Sequence, residues 1–593
     1  MSKSRWSVVA LLFALLVGSI HIAPHLLAVK NIGIEYKGIP FLYLNNEFAY
    51  VSRIQEISDG HLLTGSPNYF EYKNIVPVAP PFGEYMYYLL HLITGLSTLN
   101  TVVFAKFLFP ALLFILVYFL TMQLSSVAPE NLKRISAITA GICITLGYDL
   151  VDLSTVITHI LDGTHDTVLS LWTRPVNPIT GALFLFSFLI LILTIIKNRN
   201  RHICVIAAGL VLALSAGYFF SFALEWIILF LLIVRYLWKR EYAVFKALLA
   251  SAFIAIILDS IYALQILQNI AKNTMALAGR NGLLHFHTPI INIMILVTIV
   301  IFTALVWKYF IDVRNKTKQP NNDTENSLWF CGILLVAGVV CFNEQIITGF
   351  TIWPYHFVQY TIPLSIIVII VTFGNILGKK HQKLYTALCL GTILCVITFA
   401  LWNIPSYVYS LQNFKNKQPV NELFSWLNHN TPTDCVVLVD ETDERINEMI
   451  PAATHCNVYR SGDINSGTPE QRMLISYLVK LKLQGLTKNN IDSYLHSHQA
   501  DLGSYFFNDW VEGLGIKTNP RISAITKNVA EQYLLYLQED FATALSQYKL
   551  DYIITTNSDS QTIKELTSHI ELILQTHNNQ ETFSLYRFIS AKR

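Results

Sequence analysis

The sequence predicts a polytopic α-helical membrane protein with a C-terminal extracytoplasmic α/β domain. Three observations lead there. Of 593 residues, 53% are apolar and only 14% are charged, whereas an ordinary soluble domain carries roughly 25% charged residues. About eleven apolar runs of about 16 to 22 residues recur between Met1 and Trp402, each close to the length that crosses a bilayer. Near Ser406 the composition turns polar, and strand-like and helix-like segments then alternate. A mean hydropathy of +0.45 agrees. A disordered chain, a collagen, a coiled coil and a small disulfide scaffold are excluded. A net charge of +3 gives no basis for a nucleic-acid partner.

The apolar runs centre on Leu15, Phe109, Cys143, Phe188, Val211, Leu229, Ile256, Val297, Leu335, Ile369 and Leu390. The first, from Trp6 to Ala28, is long for a cleaved leader and no small-x-small site follows it, so it reads as a retained span. The runs at Val211 and Leu229 are short and meet at Ser215–Ser221, as in a tight hairpin. Residues Glu84–Leu99 are apolar but interrupted and read as an interfacial helix.

Basic residues set the orientation. One alternate set of connections holds Lys133, Arg134, Lys197, Lys239, Arg240, Arg314, Lys379 and Lys380 among about 17 cations, and the other set holds about seven. The first set is cytoplasmic by this rule. The N-terminus then lies inside and the C-terminal region outside, in the inner (plasma) membrane of a bacterium, facing the periplasm or exterior. The expected domains are 1–405, with a large first external loop at 29–85, and 406–593.

In the C-terminal part, Val436–Asp440 (VVLVD), Cys456–Arg460 (CNVYR), Leu550–Thr555 (LDYIIT) and Thr582–Phe588 (TFSLYRF) read as strands. Pro469–Gln484 and Val529–Glu539 read as helices. Of eight cysteines, six lie in or beside apolar runs and read as packing residues. Cys435 and Cys456 each precede or start a strand. They read equally as a disulfide, which an external compartment permits, or as two reduced core cysteines.

Three polar clusters fall in external loops, where ionisable groups beside a membrane are functional candidates. In the first loop, Glu47 to Ser58 reads as a short helix stopped by Gly60, with Glu47, Tyr50 and Ile54 on one face. A carboxylate there, Glu47 or Asp59, suits removal of a proton from an acceptor. In the second loop, Asp162, His165 and Asp166 have the composition, though not a recognised spacing, for a divalent metal such as Mg or Mn. Arg174 stands alone as a cation in that loop, within Trp172-Thr173-Arg174-Pro175-Val176-Asn177-Pro178. A guanidinium there suits a phosphate; the alternative is an ion pair with one of the loop's aspartates. The third cluster, Asn343-Glu344-Gln345 through Trp353-Pro354-Tyr355-His356 and Gln359-Tyr360, mixes amide, hydroxyl and aromatic groups that suit sugar hydroxyls and a sugar face; the alternative for its aromatics is an interfacial belt. Lys272 and Arg280, with His285 and His287, either add phosphate contacts or face lipid headgroups.

The first-loop text PNYFEYKNIVPVAPPFGEYMYYLLHLITG, the segments SLWTRPVNP and NEQIITGFTIWPYHFVQY, and FSWLNHNTPTDCVVLVD together resemble the GT-C superfamily of integral-membrane glycosyltransferases. The resemblance implies a GT-C-like transmembrane domain and transfer of a sugar from a polyprenyl-phosphate-linked donor to a glycan, lipid or protein acceptor. No cofactor is required by it; a divalent metal is compatible. It assigns Glu47, with Asp59, as base. Arg174, Arg280 and Lys272 would bind the donor phosphate. Tyr50, Asn177, Glu344, Gln345 and His356 would line the sugar or acceptor pocket. Two departures stand out. Asn46-Glu47 occupies the place of the Asp-Glu pair of protein mannosyltransferases, and the Trp-Trp-Asp signature of oligosaccharyltransferases is absent. A lipid or glycan transporter or flippase, or a non-catalytic membrane module whose external domain binds a partner, are the competing readings. A transporter predicts internal repeats, and none is visible.

Overall fold

The computed structural model describes residues 3–42, 47–125, 129–165, 170–198, 202–280, 284–285, 287–315, 322–351, 353–378, 381–440, 445–464, 466–507, 521–556, 560–577 and 582–589. Helix α1 (Lys3–Ile32) opens the chain. The long first loop carries α2 (Glu47–Ser58) and α3 (Phe82–Thr94). Next come α4 (Thr98–Leu124), α5 (Glu130–Leu146), α6 (Leu153–Asp162), α7 (Ser170–Thr173) and α8 (Ile179–Lys197). The hairpin of α9 (His202–Leu214) and α10 (Phe219–Trp238) leads to α11 (Tyr242–Arg280) and α12 (Ile293–Arg314). Then follow α13 (Asn322–Asn343), α14 (Gln345–Thr348), α15 (Val358–Ile376) and α16 (Gln382–Asn403).

Among the described residues, nine helical stretches are long and apolar enough to cross a membrane. The chain is a multi-pass membrane protein with a small mixed sheet towards its C-terminus. Every apolar centre named from the sequence falls on a helix. The difference from about eleven spans lies in two of them. Helix α5 has 17 residues and spends its first turn on Glu130, Lys133 and Arg134, and α9 has 13; at 1.5 Å per residue neither covers ~30 Å of hydrocarbon alone.

By compactness the chain forms two units. One holds Met1–Ala28, Val103–Ala263 and His285–Tyr409; the other holds Val29–Val102, Leu264–Leu284 and Ser410–Arg593. The first loop thus belongs to the same compact unit as the C-terminal residues, whereas the sequence expectation grouped 29–85 with 1–405.

In the first unit, α5 packs on α15 and α16, α8 on α9 and α10, and α13 and α12 on α15. Small residues let backbones approach, as helices in lipid require. A Cβ on Gly141 of α5 would sit 2.5 Å from the ring of Phe114 on α4. Ala10, Ala14, Ala137 and Ala400 complete that seam between α1, α5 and α16.

In the second unit, β1 (Val436–Asp440), β2 (Asn457–Val458), β3 (Tyr552–Thr555), β4 (Ile570–His577) and β5 (Thr582–Phe588) form one sheet in the order β2-β1-β3-β5-β4. The first three strands are parallel and the last two antiparallel. All of β1 is buried, as a strand covered on both faces must be. Val436 and Leu438 face a core with Tyr477, Leu478, Val529 and Tyr533. Val437 and Val439 face the other core, with Leu423, Phe424 and Leu427 of α18 (Val420–Asn430) and Ile446 and Ile450 of α19 (Arg445–Ala453). The helix α17 (Val408–Lys417) precedes them. The strands expected from sequence recur here, and β4 is an addition to them.

Candidate active site

Helix α2 begins at Glu47 because its buried positions, Glu47, Val51, Ile54 and Ile57, repeat at three- and four-residue spacing and pack on α19 and α3. It ends before Asp59 and Gly60, whose φ of +102° suits only glycine. Glu47 is 1% exposed, a carboxylate held in the first turn, where the helix dipole favours negative charge. Tyr50 is half-buried one residue short of the next turn. Asn46 lies outside the described residues. Arg53 is committed elsewhere: its Nε donates to Glu84 Oε1 of α3 at 2.5 Å.

One turn further, a polar knot appears that the sequence does not announce. Lys73, 2% exposed, lies between Glu56 Oε1 at 3.2 Å and Asp434 Oδ1. His61 Nε2 approaches the same Asp434 oxygen at 3.1 Å, and Asn457 Nδ2 donates to Glu56 Oε1 at 3.3 Å. Burial pushes the Glu56 carboxyl up to about 8, against the pull of Lys73. Burial likewise raises Asp59 to about 6, with the Gln55 amide, 2.9 Å away, holding it down. For Asp434, burial works to raise the carboxyl, and the hydrogen bond and charge of Lys73, with His61, outweigh it and hold it below its ordinary value. Lys73 sits in unpatterned text (EYKNIVPV), with Glu56 outside any helical or strand period of it and Asp434 hundreds of residues away, so no sequence period marks it.

The second group lies wholly in the first unit, at the N-terminal ends of α8, α10 and α15. Arg174 Nε donates to the Asn177 carbonyl at 2.6 Å, closing a turn in which Val176 holds a φ of +60°. The next carbonyl, of Pro178, accepts the Tyr360 hydroxyl at 3.0 Å. The Tyr360 ring packs edge-on to Tyr218, 6.0 Å between centroids. The Tyr218 hydroxyl lies 3.2 Å from His356 Nδ1 and 3.2 Å from Gln359 Oε1. Arg174 is within electrostatic range of both His356 and Tyr360. Asn177 Oδ1 is buried with no hydrogen-bond partner among the described residues. Gly181, one turn into α8, is what admits Tyr360: a Cβ there would overlap the tyrosine hydroxyl and stand 2.7 Å from Ser221 Oγ. This gathers Arg174, Asn177, His356 and Gln359, all singled out in the sequence, and adds Tyr218. Tyr218 lies in the short α9–α10 hairpin, whose compactness was its one visible signal.

The remaining candidates fall elsewhere. Gln345 is buried and its Nε2 donates to the Thr288 carbonyl at 3.0 Å, a backbone clamp shared by Asn343 with Ile290. Glu344 opens the same turn, with Oε2 buried and no hydrogen-bond partner for it among the described residues. Arg280 is buried with Nη1 3.3 Å from Met473 Sδ. Burial lowers its pKa, and the charges of Glu470 and Asp463 offset part of that. The side chain of Lys272 lies outside the described residues. Asp162 is exposed, and the His165 ring packs on Trp402 and Tyr409, centroids 5.5 and 6.4 Å away. Asp166 lies outside the described residues. Cys435 and Cys456 are disulfide-bonded, Cα atoms 4.5 Å apart.

No family model and no curated protein matches the sequence. Among solved structures the chain is similar to ArnT from Cupriavidus metallidurans in the apo state, at 9% identity and a TM-score of 0.48, covering 99% of this chain and 98% of that one. It is also similar to the Archaeoglobus fulgidus oligosaccharyltransferase in the apo form, at 11% identity and a TM-score of 0.43, covering 100% of this chain and 76% of that one. The same archaeal protein in complex with an inhibitory peptide and a dolichol-phosphate gives 11% identity and a TM-score of 0.41, covering 98% and 74%. Likenesses at this level leave the functional reading to this chain's own residues.

Proposed function

We propose that this chain is a membrane glycosyltransferase that moves a sugar from a polyprenyl-phosphate-linked donor to an extracytoplasmic glycan, lipid or protein acceptor. The observation that carries the reading is the gathering of Arg174, Tyr218, His356 and Gln359 at the N-terminal ends of α8, α10 and α15. Helix N-termini and a guanidinium both favour an anion. Uncharged hydroxyl, imidazole and amide groups beside them are the donors and acceptors that orient a sugar.

In this scheme Arg174 binds the donor phosphate and stabilises the negative charge that grows on it as the bond to the anomeric carbon breaks. Tyr218, His356, Gln359 and the open Asn177 Oδ1 hold sugar hydroxyls. Glu47 takes the proton of the attacking acceptor group, and Asp59, raised towards neutrality, is the alternative base. No step needs a metal. The N-terminus is cytoplasmic and the C-terminal domain external, following the distribution of basic residues.

The test is binding of a labelled polyprenyl monophosphate to the full chain in detergent. Arg174→Ala loses one charge-assisted interaction of about 1.5–3 kcal/mol, a drop of roughly 10- to 150-fold. Unchanged affinity in Arg174→Ala would sink the assignment of the phosphate site.

A further inference from the structure

We infer that Cys435, Cys456 and His455 form a redox-gated site for a thiophilic d10 cation, Zn2+ in the first place, closed by the disulfide and opened by a dithiol reductant. The site is independent of the transferase reading and uses none of its residues.

Its geometry follows from sheet register. Strands β1 and β2 run parallel with Val436 opposite Asn457, so the residues just before them, Cys435 and Cys456, stand side by side. His455 precedes Cys456 directly. One ligand atom from each of the three lies within 4.8 Å of the others. Both sulfurs are buried and the histidine is half-buried. The three converge on Thr431, the residue that ends α18. Its Oγ1 is 2.8 Å from His455 Nε2, 3.0 Å from Cys435 Sγ and 3.8 Å from Cys456 Sγ. That hydroxyl also donates to the Leu427 carbonyl at 2.7 Å, which turns its lone pairs towards the imidazole and the sulfurs. The ligand atoms therefore already surround one point, with an oxygen lone pair facing it.

The chemistry of the set selects the ion. Two thiolates and one imidazole suit Zn2+ or another thiophilic d10 ion, and the fourth position falls to the Thr431 hydroxyl or a water. No carboxylate belongs to the set, which disfavours Mg2+, Mn2+ and Ca2+. Two thiolates neutralise a divalent ion, so the occupied site is uncharged overall, as a buried position requires. In an oxidising compartment the pair rests as the disulfide. A dithiol transfers two electrons and two protons to it, becoming a disulfide itself and leaving two thiols. Zn2+ then displaces the two thiol protons, and the sulfurs separate by rotation about χ1.

The experiment uses the full chain in detergent with Zn2+ and Co2+ as probes, before and after reduction by a dithiol that is then removed. The reduced protein is expected to retain about one Zn2+ per chain against a competing chelator, and the oxidised protein none. Co2+ should give the visible ligand-field bands of a thiolate-bound tetrahedral ion. His455→Gln should weaken retention by more than the roughly 10- to 100-fold that loss of an outer-shell partner costs. Six other cysteines remain in the double variant Cys435→Ser/Cys456→Ser, so retention that survives there overturns the proposal. Equal retention by oxidised and reduced wild-type protein, or none by either, overturns it without any variant.

Discussion

Replacing Gly181 by alanine probes whether the Arg174 group is one packed assembly. The new Cβ would overlap the Tyr360 hydroxyl and stand 2.7 Å from Ser221 Oγ. Ser221 can rotate away, releasing its bond to the Tyr218 carbonyl at 3.1 Å. Tyr360 cannot yield as easily: it is fully buried, and its hydroxyl holds the Pro178 carbonyl. The overpacking costs about 1–3 kcal/mol. A buried carbonyl left without its donor adds about 1–3 kcal/mol. Tyr360→Phe alone forfeits only the second of these. In the double variant the Cβ enters the volume that the hydroxyl vacated, so the overlap disappears and the cost returns to that of Tyr360→Phe. The expected coupling is therefore favourable by the two terms together, about 2–6 kcal/mol. The assay is the heat-inactivation midpoint in detergent at one fixed scan rate, because membrane proteins unfold irreversibly, read beside binding of polyprenyl monophosphate. Gly181→Ala should lower both; adding Tyr360→Phe should restore the midpoint to that of Tyr360→Phe. A midpoint shift in the double variant equal to the sum of the single shifts would refute the reasoning.

Lys73→Met leaves the buried Glu56 and the partly exposed Asp434 facing each other without their cation, at a cost below the roughly 3–5 kcal/mol of breaking a fully buried pair; hydrogen exchange across residues 61–73 should speed up, and adding Glu56→Gln should recover part of the loss. Glu56 is raised in the folded state from 4.5 to about 8, so the folded protein binds the extra proton. Its contribution to stability is complete below about pH 4.5 and is lost as pH rises through about 8. Asp434 has the opposite sign: held below its ordinary 3.8, it contributes stability above that pH that is lost under stronger acid. The heat-inactivation midpoint should fall between about pH 5 and 8, and Glu56→Gln should flatten that slope; an identical slope in the variant contradicts the assignment. Glu47→Gln should cut sugar transfer by roughly 100-fold or more while polyprenyl monophosphate binding stays unchanged; loss of both together would make Glu47 a structural residue.

What the sequence made legible follows the range of the forces involved. Helix α2, its stop at Gly60, the α9–α10 hairpin and the strands at VVLVD and LDYIIT are set by local period and turn chemistry, and they were readable. Strand β4 was not, because IELILQTH has an apolar run that strand and helix share. Arg174, Asn177 and His356 were visible because a polar group beside a span is costly and therefore conspicuous. Their partner Tyr218 looked like one more aromatic among many. Lys73, Glu56 and Asp434 were hidden for the opposite reason. Each reads as an ordinary solvated charge, and only the fold, by burying Lys73 and Glu56 against the partly exposed Asp434, makes them interdependent. The same distinction separates the two uses of a carboxylate in α2. Glu47 was found by its position at the head of a helix, while Glu56 acquires its raised pKa only from neighbours that close around it. A residue whose chemistry comes from its own chemical type can be nominated from sequence. One whose chemistry comes from long-range burial has to be located in the folded chain, and the Glu56 knot is therefore where mutation tests the structure rather than the sequence.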